Sequence, residues 1–329
     1  MIRVGVELVP QYPINELIQL VKELEGIGID QVWFTDHFFN RNPYITACAV
    51  GLNTSRIEIG VGVTNPYIIH PAYIASLALS LQEVTNGRFN LGIGAGDRTT
   101  LELIGIRREK ALTRLKEAIL IIRELTQGKK VTFQGEIFQI RNAKMYYTSK
   151  PVRIYVGAQA TKTLILAGQL ADGVLLNASN KELLKLMIDK VKEGAQNASR
   201  NPDDLDIVAH TCVSASEDVE KAKQLVKPYV AFIAAGLPDE YLAKLGIEDA
   251  VSQIRKAFQE GGIKRAIEYV TDDLIELLSI TGTFKDCVER LLDITKSLNI
   301  NVTVGSPIAP SMSDVKRFLN MVTQALKST

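Results

Sequence analysis

The chain has 329 residues, of which 46% are hydrophobic and 23% charged, and its net charge is +1. This composition is typical of a globular protein and excludes a nucleic-acid or membrane surface built from a block of like charges. No stretch approaches the roughly 18 to 20 apolar residues of a membrane span, and the N-terminus lacks the basic-then-apolar layout of a signal peptide. We therefore expect a cytoplasmic protein that binds neither nucleic acid nor a membrane.

Short runs rich in β-branched residues alternate along the chain with longer stretches of helical periodicity. The short runs predict eight strands, at 2–8, 31–35, 57–63, 88–94, 153–157, 173–177, 205–213 and 300–305. Helices are predicted between them at 14–27, 44–53, 71–84, 107–126, 161–170, 181–196 and 311–326. Consecutive βα units of this kind are typical of parallel sheets. Eight of them favour an α/β fold, a (β/α)8 TIM barrel in a single domain covering residues 1–329.

Two segments are longer than a plain barrel needs. Residues 129–148 predict a small β-hairpin that turns at Gln134-Gly135, and residues 217–297 predict several helices where one would suffice. Insertions at the catalytic end of a barrel commonly form a lid or a subunit contact, although either segment could equally be decoration.

Polar residues or glycines follow every predicted strand, at the end of the barrel where TIM-barrel active sites are built. Alternation along the first strand places Val4 and Val6 toward the helices, and Arg3 and Glu7 toward the barrel axis. A carboxyl group there, walled by apolar groups, is expected to have a raised pKa and to act as a general acid or base. A salt bridge to Arg3 or a solvated strand end explains Glu7 equally well.

Asp36 and His37 follow the second strand and form another candidate pair, because adjacent side chains at a strand end can hold a ligand from two directions. A lone histidine is nevertheless more often structural. His70 and His210 have no partner at metal-ligand spacing, so we expect no metal site. The three cysteines form no CxxC pair and are expected to be reduced and structural: Cys48, Cys212 and Cys287.

Glycines are concentrated at three strand ends. Gly60 and Gly62 interrupt the third strand, and a glycine inside a strand usually marks a bulge or a close backbone approach. The run LGIGAGD at 91–97 lacks the spacing of a dinucleotide fingerprint and favours a glycine-lined strand end against which a flat ligand lies. After Gly157, a helix beginning near Thr161 could hold a phosphate on its free N–H groups, or the small residues could simply form a tight βα turn.

A resemblance to the bacterial-luciferase-like flavin and deazaflavin barrels runs through most of the chain. It is carried by the stretches VGVELVP, FTDHF, GVGVTNPYIIHPA, TNGRFNLGIGAGDRTTLELIGI and YVGAQATKTLILAGQLADGVLLN. Within that superfamily, the combination of Glu7, VTNPY with HPA, and GAGD is most similar to the branch of F420-dependent methylenetetrahydromethanopterin reductases.

The resemblance implies a reversible hydride transfer in methanogenesis from CO2. Reduced coenzyme F420, an 8-hydroxy-5-deazaflavin, would convert 5,10-methylenetetrahydromethanopterin to the methyl form. The same resemblance implies that Glu7 protonates the departing ring nitrogen and that Asp97 stabilises the cationic iminium by its charge. Members of the family usually associate, so we expect a homodimer or homotetramer, with the extra helices as a contact.

The cofactor site is also implied by the resemblance. These barrels carry a non-prolyl cis peptide in a bulge at the end of the third strand, and Gly62-Val63 is the best match. The deazaflavin would lie against that bulge. The expected cofactor-binding residues are Asp36, His37, Gly62, Val63, Thr64, Asn65, Gly157, Ala158, Gln159 and Asn177.

Three rival functions stay open. An F420-dependent alcohol or sugar-phosphate dehydrogenase would use His37 as its base and depend less on Glu7. A luciferase-like monooxygenase would bind FMN instead of F420. A non-catalytic flavin-binding relative would bind a cofactor without transferring hydride to any pterin.

Overall fold

The computed structural model of the protein describes residues 2–327, except for the side chains of Thr99 and Thr303. The strands are β1 (Val4–Leu8), β2 (Gln31–Phe34), β3 (Glu58–Thr64), β4 (Phe89–Gly94), β5 (Val131–Gln134), β6 (Gln139–Ala143), β7 (Arg153–Ala158), β8 (Gly173–Asn177), β9 (Asp206–Ala215), β10 (Ile280–Gly282) and β11 (Asn301–Ile308).

The helices complete the βα units around the strands. They are α1 (Ile14–Gly26), α2 (Pro43–Leu52), α3 (Pro71–Val84), α4 (Arg98–Leu103), α5 (Ala111–Thr126), α6 (Thr161–Leu170), α7 (Lys181–Asn197), α8 (Val219–Gly236), α9 (Asp239–Leu245), α10 (Glu248–Ala266), α11 (Asp272–Leu278), α12 (Phe284–Leu298) and α13 (Met312–Lys327).

Parallel strands close into a barrel, which confirms the predicted (β/α)8 fold. Their order is β11-β1-β2-β3-β4-β7-β8-β9, and β9 pairs with both β8 and β11 to complete the ring. The short strand β10 is added in parallel on the extended end of β9. Strands β5 and β6 form a separate antiparallel hairpin, as predicted for residues 129–148.

The structure departs from the predicted elements in two places. The region 217–297 contains several helices, as expected, but also strand β10, whose three residues are too short to leave an alternating pattern. The helix predicted to begin at 107 begins at Ala111 instead, because Lys110 before it has a left-handed backbone with φ of 48°. The residues between this helix, α5, and the preceding short helix α4 form a turn, so α4 is a separate element that the sequence pattern did not predict.

The barrel wall and its lumen are filled by different side chains. Val4 and Val6 are fully buried in the large hydrophobic cluster between strands and helices, as the alternation along β1 predicts. A second cluster inside the barrel contains Trp33, Tyr155, Leu175 and Val208, with Val63 packed against it. The Trp33 and Tyr155 rings meet edge to face, with centroids 5.1 Å apart.

A network of charged and polar groups closes the barrel at the beginning of its strands. Arg3 contacts both Asp206 and Glu58, the latter at 3.1 Å. Glu58 also accepts hydrogen bonds from Gln31 at 2.8 Å and from Asn90 at 2.8 Å. Buried ions need this many partners because burial removes their hydration.

Removal of the cation from this network is expected to destabilise the barrel. Arg3→Met leaves Asp206 without its cationic partner, while Glu58 keeps the more distant Arg153 at 3.7 Å. We expect a cost of about 2 kcal/mol in the free energy of unfolding, less than for a fully buried pair since Arg3 is partly exposed. Urea unfolding measures this, with Lys192→Met on the exposed face of α7 as the matched control. Equal stability of the two variants would contradict the prediction.

Candidate active site

Glu7 lies at the carboxyl end of β1, where the barrel opens. Its neighbours in register are Trp33 on β2 and Gly305 on β11. A Cβ atom on residue 305 would lie 3.2 Å from the Glu7 Oε2 atom, so the glycine makes room for the carboxyl group. The side chain is 21% exposed, but burial raises its pKa to about 7, as expected for a carboxyl walled by protein. The salt bridge to Arg3 does not form, because Arg3 pairs with Asp206 and Glu58 at the opposite end of the barrel.

His210 on β9 faces Glu7 across the barrel mouth. Its Nδ1 atom is 4.0 Å from Glu7 Oε2, and the residue is only 8% exposed. Burial lowers the imidazole pKa to about 4, so His210 is neutral near pH 7. Cys212, two residues further along β9, has its thiol pKa raised to about 12 by burial and by the charge of Glu7, and it is therefore a thiol rather than a nucleophile.

Asp36, Thr64 and Tyr44 come together where β2, β3 and α2 meet. Burial raises the pKa of the Asp36 carboxyl, an effect partly opposed by the Thr64 hydroxyl and by His37. Tyr44 is brought there because the Asn42 side chain accepts hydrogen bonds from the first N–H groups of α2, which begins with a proline. Burial raises the pKa of Tyr44 as well. Tyr44 was not among the predicted site residues, although its place in the first turn of the helix after the TDH motif was a usable signal.

The peptide bond between Gly62 and Val63 is cis, which confirms the prediction made for the end of β3. The pairing of β3 with β4 shifts register between Val61 and Thr64, so this segment is a bulge. Val63 is turned toward the glycines of the neighbouring strands: a Cβ atom on Gly94 or Gly157 would lie closer than 3.0 Å to its side chain.

Glycines 92 and 94 therefore serve a different purpose from the one predicted. The expectation of a flat ligand against LGIGAGD is corrected, because the group that lies against Gly92 and Gly94 is the Val63 side chain together with the backbone of β3. Gly157 receives the same side chain from the other side. These glycines make room for the bulge, and a ligand at this strand end would contact the bulge and not the glycines.

The remaining predicted cofactor residues line the ends of β3, β7 and β8. Asn65 accepts a hydrogen bond from the Tyr67 N–H group through Oδ1, at 3.1 Å, and so closes the turn after β3. Gln159 donates from Nε2 to the Asn177 carbonyl at 3.1 Å, which ties β7 to β8. Ala158 is buried, whereas Asn177 is exposed.

The first turn of α6 holds a carboxylate from a distant part of the chain. Thr161 donates from its backbone N–H and from its hydroxyl to the two Glu240 oxygens, both at 2.7 Å. Tyr241 beside it donates to the Gln159 carbonyl at 2.9 Å. An acidic group is favoured at a helix start by the exposed N–H groups. Glu240 and Tyr241 lie in α9, and nothing local in the sequence links them to this turn.

Asp97 is at the beginning of α4 and is exposed. Its side chain accepts a hydrogen bond from the Thr100 N–H group at 2.7 Å and another from the Thr100 hydroxyl. This is the ordinary role of an aspartate before a helix, and it is a structural reason for the acid after GAG.

Among residues 2–327, histidine, cysteine, aspartate and glutamate side chains do not gather in any group of three that could hold a metal ion. Over the same range, every helix is too short or too polar to cross a bilayer.

Apolar and unpartnered polar groups lie together at the strand ends. The Thr35 hydroxyl and the His210 Nε2 atom are buried without hydrogen-bond partners in the described structure. Val63 is a partly buried apolar side chain on the bulge, and Asp36 and Thr64 are polar groups that interact with each other. Sites for organic cofactors commonly combine an apolar surface with a few polar groups in this way.

The chain is similar to known proteins over nearly its whole length. Residues 1–299 match the family model for luciferase-like monooxygenases. The chain is 41% identical to the 5,10-methylenetetrahydromethanopterin reductase of Archaeoglobus fulgidus, over 97% of this chain and 96% of that one. It is 39% identical to the reductase of the same name from Methanolobus tindarius, over 93% and 95%. The solved coenzyme F420 dependent tetrahydromethanopterin reductase of Methanopyrus kandleri superposes with a TM-score of 0.88 at 31% identity, over 98% of each chain.

Proposed function

The chain belongs to the luciferase-like monooxygenase family, and on that premise we propose that it is a coenzyme F420-dependent 5,10-methylenetetrahydromethanopterin reductase. The protein is an oxidoreductase that resembles such reductases over nearly its whole length. The observation that carries the proposal is Glu7, an enclosed carboxyl group at the barrel mouth whose pKa of about 7 lets it hold and release a proton near neutrality.

Glu7 supplies the proton that this reduction needs. The methylene carbon of the substrate bridges two nitrogens, and one C–N bond must break before that carbon can accept a hydride. The proton of Glu7 goes to the departing nitrogen, and the electron pair of the broken bond receives it. Glu7 is left as a carboxylate, whose negative charge favours the cationic iminium on the substrate.

Coenzyme F420 is proposed as the resident cofactor, and when bound in reduced form it supplies the hydride. Val63 would support its ring, while Asp36, His37, Thr64 and Asn65 would face its polar edge. The backbone of 157–159 and Asn177 would hold the rest, beside the start of α6. The support for this assignment is the bulge at the end of β3, the glycines packed against Val63, and the buried polar atoms without partners in the described structure.

Asp97 is proposed to contribute to the stabilisation of the iminium by its charge, and this role is secondary to that of Glu7. Its hydrogen bond from Thr100 also gives it a capping role at the start of α4. A cytoplasmic, metal-free homodimer or homotetramer is likewise proposed. Exposed apolar side chains on α2, Ile45 and Leu52, which are 60% and 68% exposed, support self-association.

An anaerobic assay that follows the visible absorbance of F420 tests the proposed function directly. Purified protein with reduced F420 and the methylene pterin is expected to produce oxidised F420 and methyl pterin in equal amounts. Parallel reactions replace the pterin by acetone, as the oxidised partner of a secondary alcohol, or replace F420 by FMN. Turnover only with acetone, or only with FMN, would contradict the proposal and favour a rival function.

A further inference from the structure

His210 is the buried polar residue at the barrel mouth that the proposed reaction leaves without a role. Its side chain is 10% exposed, and its ring meets the Trp33 indole edge to face, with centroids 6.1 Å apart. A purely apolar residue would pack against Trp33 at a lower desolvation cost than an imidazole. The presence of an imidazole at this position is therefore to be explained by the groups that its two nitrogens face.

The two ring nitrogens of His210 have different surroundings. Nε2 is buried and has no hydrogen-bond partner in the described structure, whereas Nδ1 faces Glu7 Oε2 at 4.0 Å. A buried N–H group without an acceptor costs more than a buried lone pair without a donor. The neutral ring therefore carries its proton on Nδ1, the nitrogen that faces the carboxyl group.

We propose that His210 is a positioning residue for Glu7. Its Nδ1–H group donates a hydrogen bond to the carboxylate that remains after Glu7 has given its proton to the substrate. This inference rests on the proposed function. The separation of 4.0 Å is longer than a hydrogen bond, and the contact shortens when Glu7 becomes a carboxylate, whether it loses its proton to the substrate or in a titration. His210 keeps its proton throughout, so the only proton that moves is the one from Glu7 to the departing nitrogen.

The other groups that the structure describes near Glu7 are weaker donors to it. The Cys212 thiol interacts with Glu7, and a thiol is only a weak donor. On β2 the neighbour is Trp33, whose buried Nε1 atom makes no hydrogen bond to Glu7, and on β11 it is Gly305, which has no side chain. Arg3 lies on the same strand but is engaged with Asp206 and Glu58 at the opposite end.

Two substitutions separate the donor from the bulk of the ring. His210→Asn places an amide N–H close to the position of Nδ1, whereas His210→Leu keeps a side chain of similar size without a donor. The pKa of Glu7 is read by carbon NMR of carboxyl-labelled glutamate in the cofactor-free protein, with the Glu7 signal identified by its loss in Glu7→Gln. We expect the Glu7 pKa to rise by about one pH unit in His210→Leu and to stay near the wild-type value in His210→Asn.

The two variants are also expected to differ in kcat. We expect kcat of His210→Leu to fall about tenfold with little change in KM for the pterin, and His210→Asn to recover most of that loss. An unchanged or lowered Glu7 pKa in His210→Leu, or an equal rise in both variants, would overturn the proposal. If His210→Leu does not fold, His210→Ala replaces it in the same titration. A wild-type protein that shows no pterin reduction would refute the proposed function instead, since the NMR titration needs no activity.

Discussion

Replacement of Glu7 by glutamine is expected to lower kcat for methylenetetrahydromethanopterin reduction by about a hundredfold or more. The amide matches the carboxyl group in size and fits the space left by Gly305, but it cannot donate a proton to the departing nitrogen. General acid catalysis by a positioned carboxyl group contributes about 10² to 10⁴ in rate. Steady-state kinetics with reduced F420 measures the loss, and KM for the pterin should change little.

The pH dependence of the wild-type enzyme should report the same group. Burial raises the Glu7 pKa to about 7, so the carboxyl is protonated and active as an acid below that pH. The kcat/KM for pterin reduction should therefore be level below pH 7 and fall as pH rises through it. His210, with a pKa lowered to about 4, stays neutral over this range and adds no second transition there.

Two matched variants show whether the effect belongs to Glu7. Glu83→Gln removes an exposed carboxyl from α3 and is expected to leave kcat unchanged. Asp97→Asn should cause a smaller loss than Glu7→Gln, because Asp97 is exposed and acts on the iminium by charge alone. Near-normal pterin turnover by Glu7→Gln would contradict the role of Glu7 and favour a dehydrogenase that relies on His37.

The features that the sequence predicts well depend on local pattern. Alternation along a single strand was sufficient to place Val4 and Val6 in the wall and Glu7 at the mouth, since neighbouring side chains of a strand point in opposite directions. The eight strands were recognised from short runs of β-branched residues, which are also a local pattern. The cis peptide at Gly62-Val63 came from the family resemblance, which composition and periodicity alone would not have supplied.

The features that the sequence predicts poorly depend on which strands become neighbours. Gly94 and Gly157 are 63 residues apart and nevertheless receive the same Val63 side chain, so each glycine taken alone suggested a ligand. His210 had no partner nearby in the sequence, because Glu7 lies near the N-terminus and approaches His210 only when the barrel closes. The contact of Glu240 with Thr161 is invisible for the same reason.

Gly60→Ala is expected to cost about 3 kcal/mol in the free energy of unfolding. A Cβ atom at this position would lie closer than 3.0 Å to three atoms of the Trp33 indole, which is fully buried. The indole cannot withdraw, because it packs against Tyr155, Leu175 and Val208 inside the barrel. Overpacking in a close-packed interior typically costs about 1 to 3 kcal/mol, and a clash with a rigid ring is at the upper end. Urea unfolding of the purified variant measures the loss.

A double-mutant cycle decides whether Trp33 is the cause. Trp33→Leu alone leaves a cavity and destabilises the protein, but in that background Gly60→Ala fills space instead of colliding, so the double variant should lose clearly less than the sum of the single losses. Gly26→Ala at the end of α1, where a Cβ atom would meet nothing within 4 Å, should be neutral or slightly stabilising. Additive losses would show that Gly60 is required for its backbone and not for Trp33. The expected coupling would mean that Gly60 is required because it makes room for the Trp33 indole, as Gly94 and Gly157 make room for Val63, the residue proposed to support the cofactor.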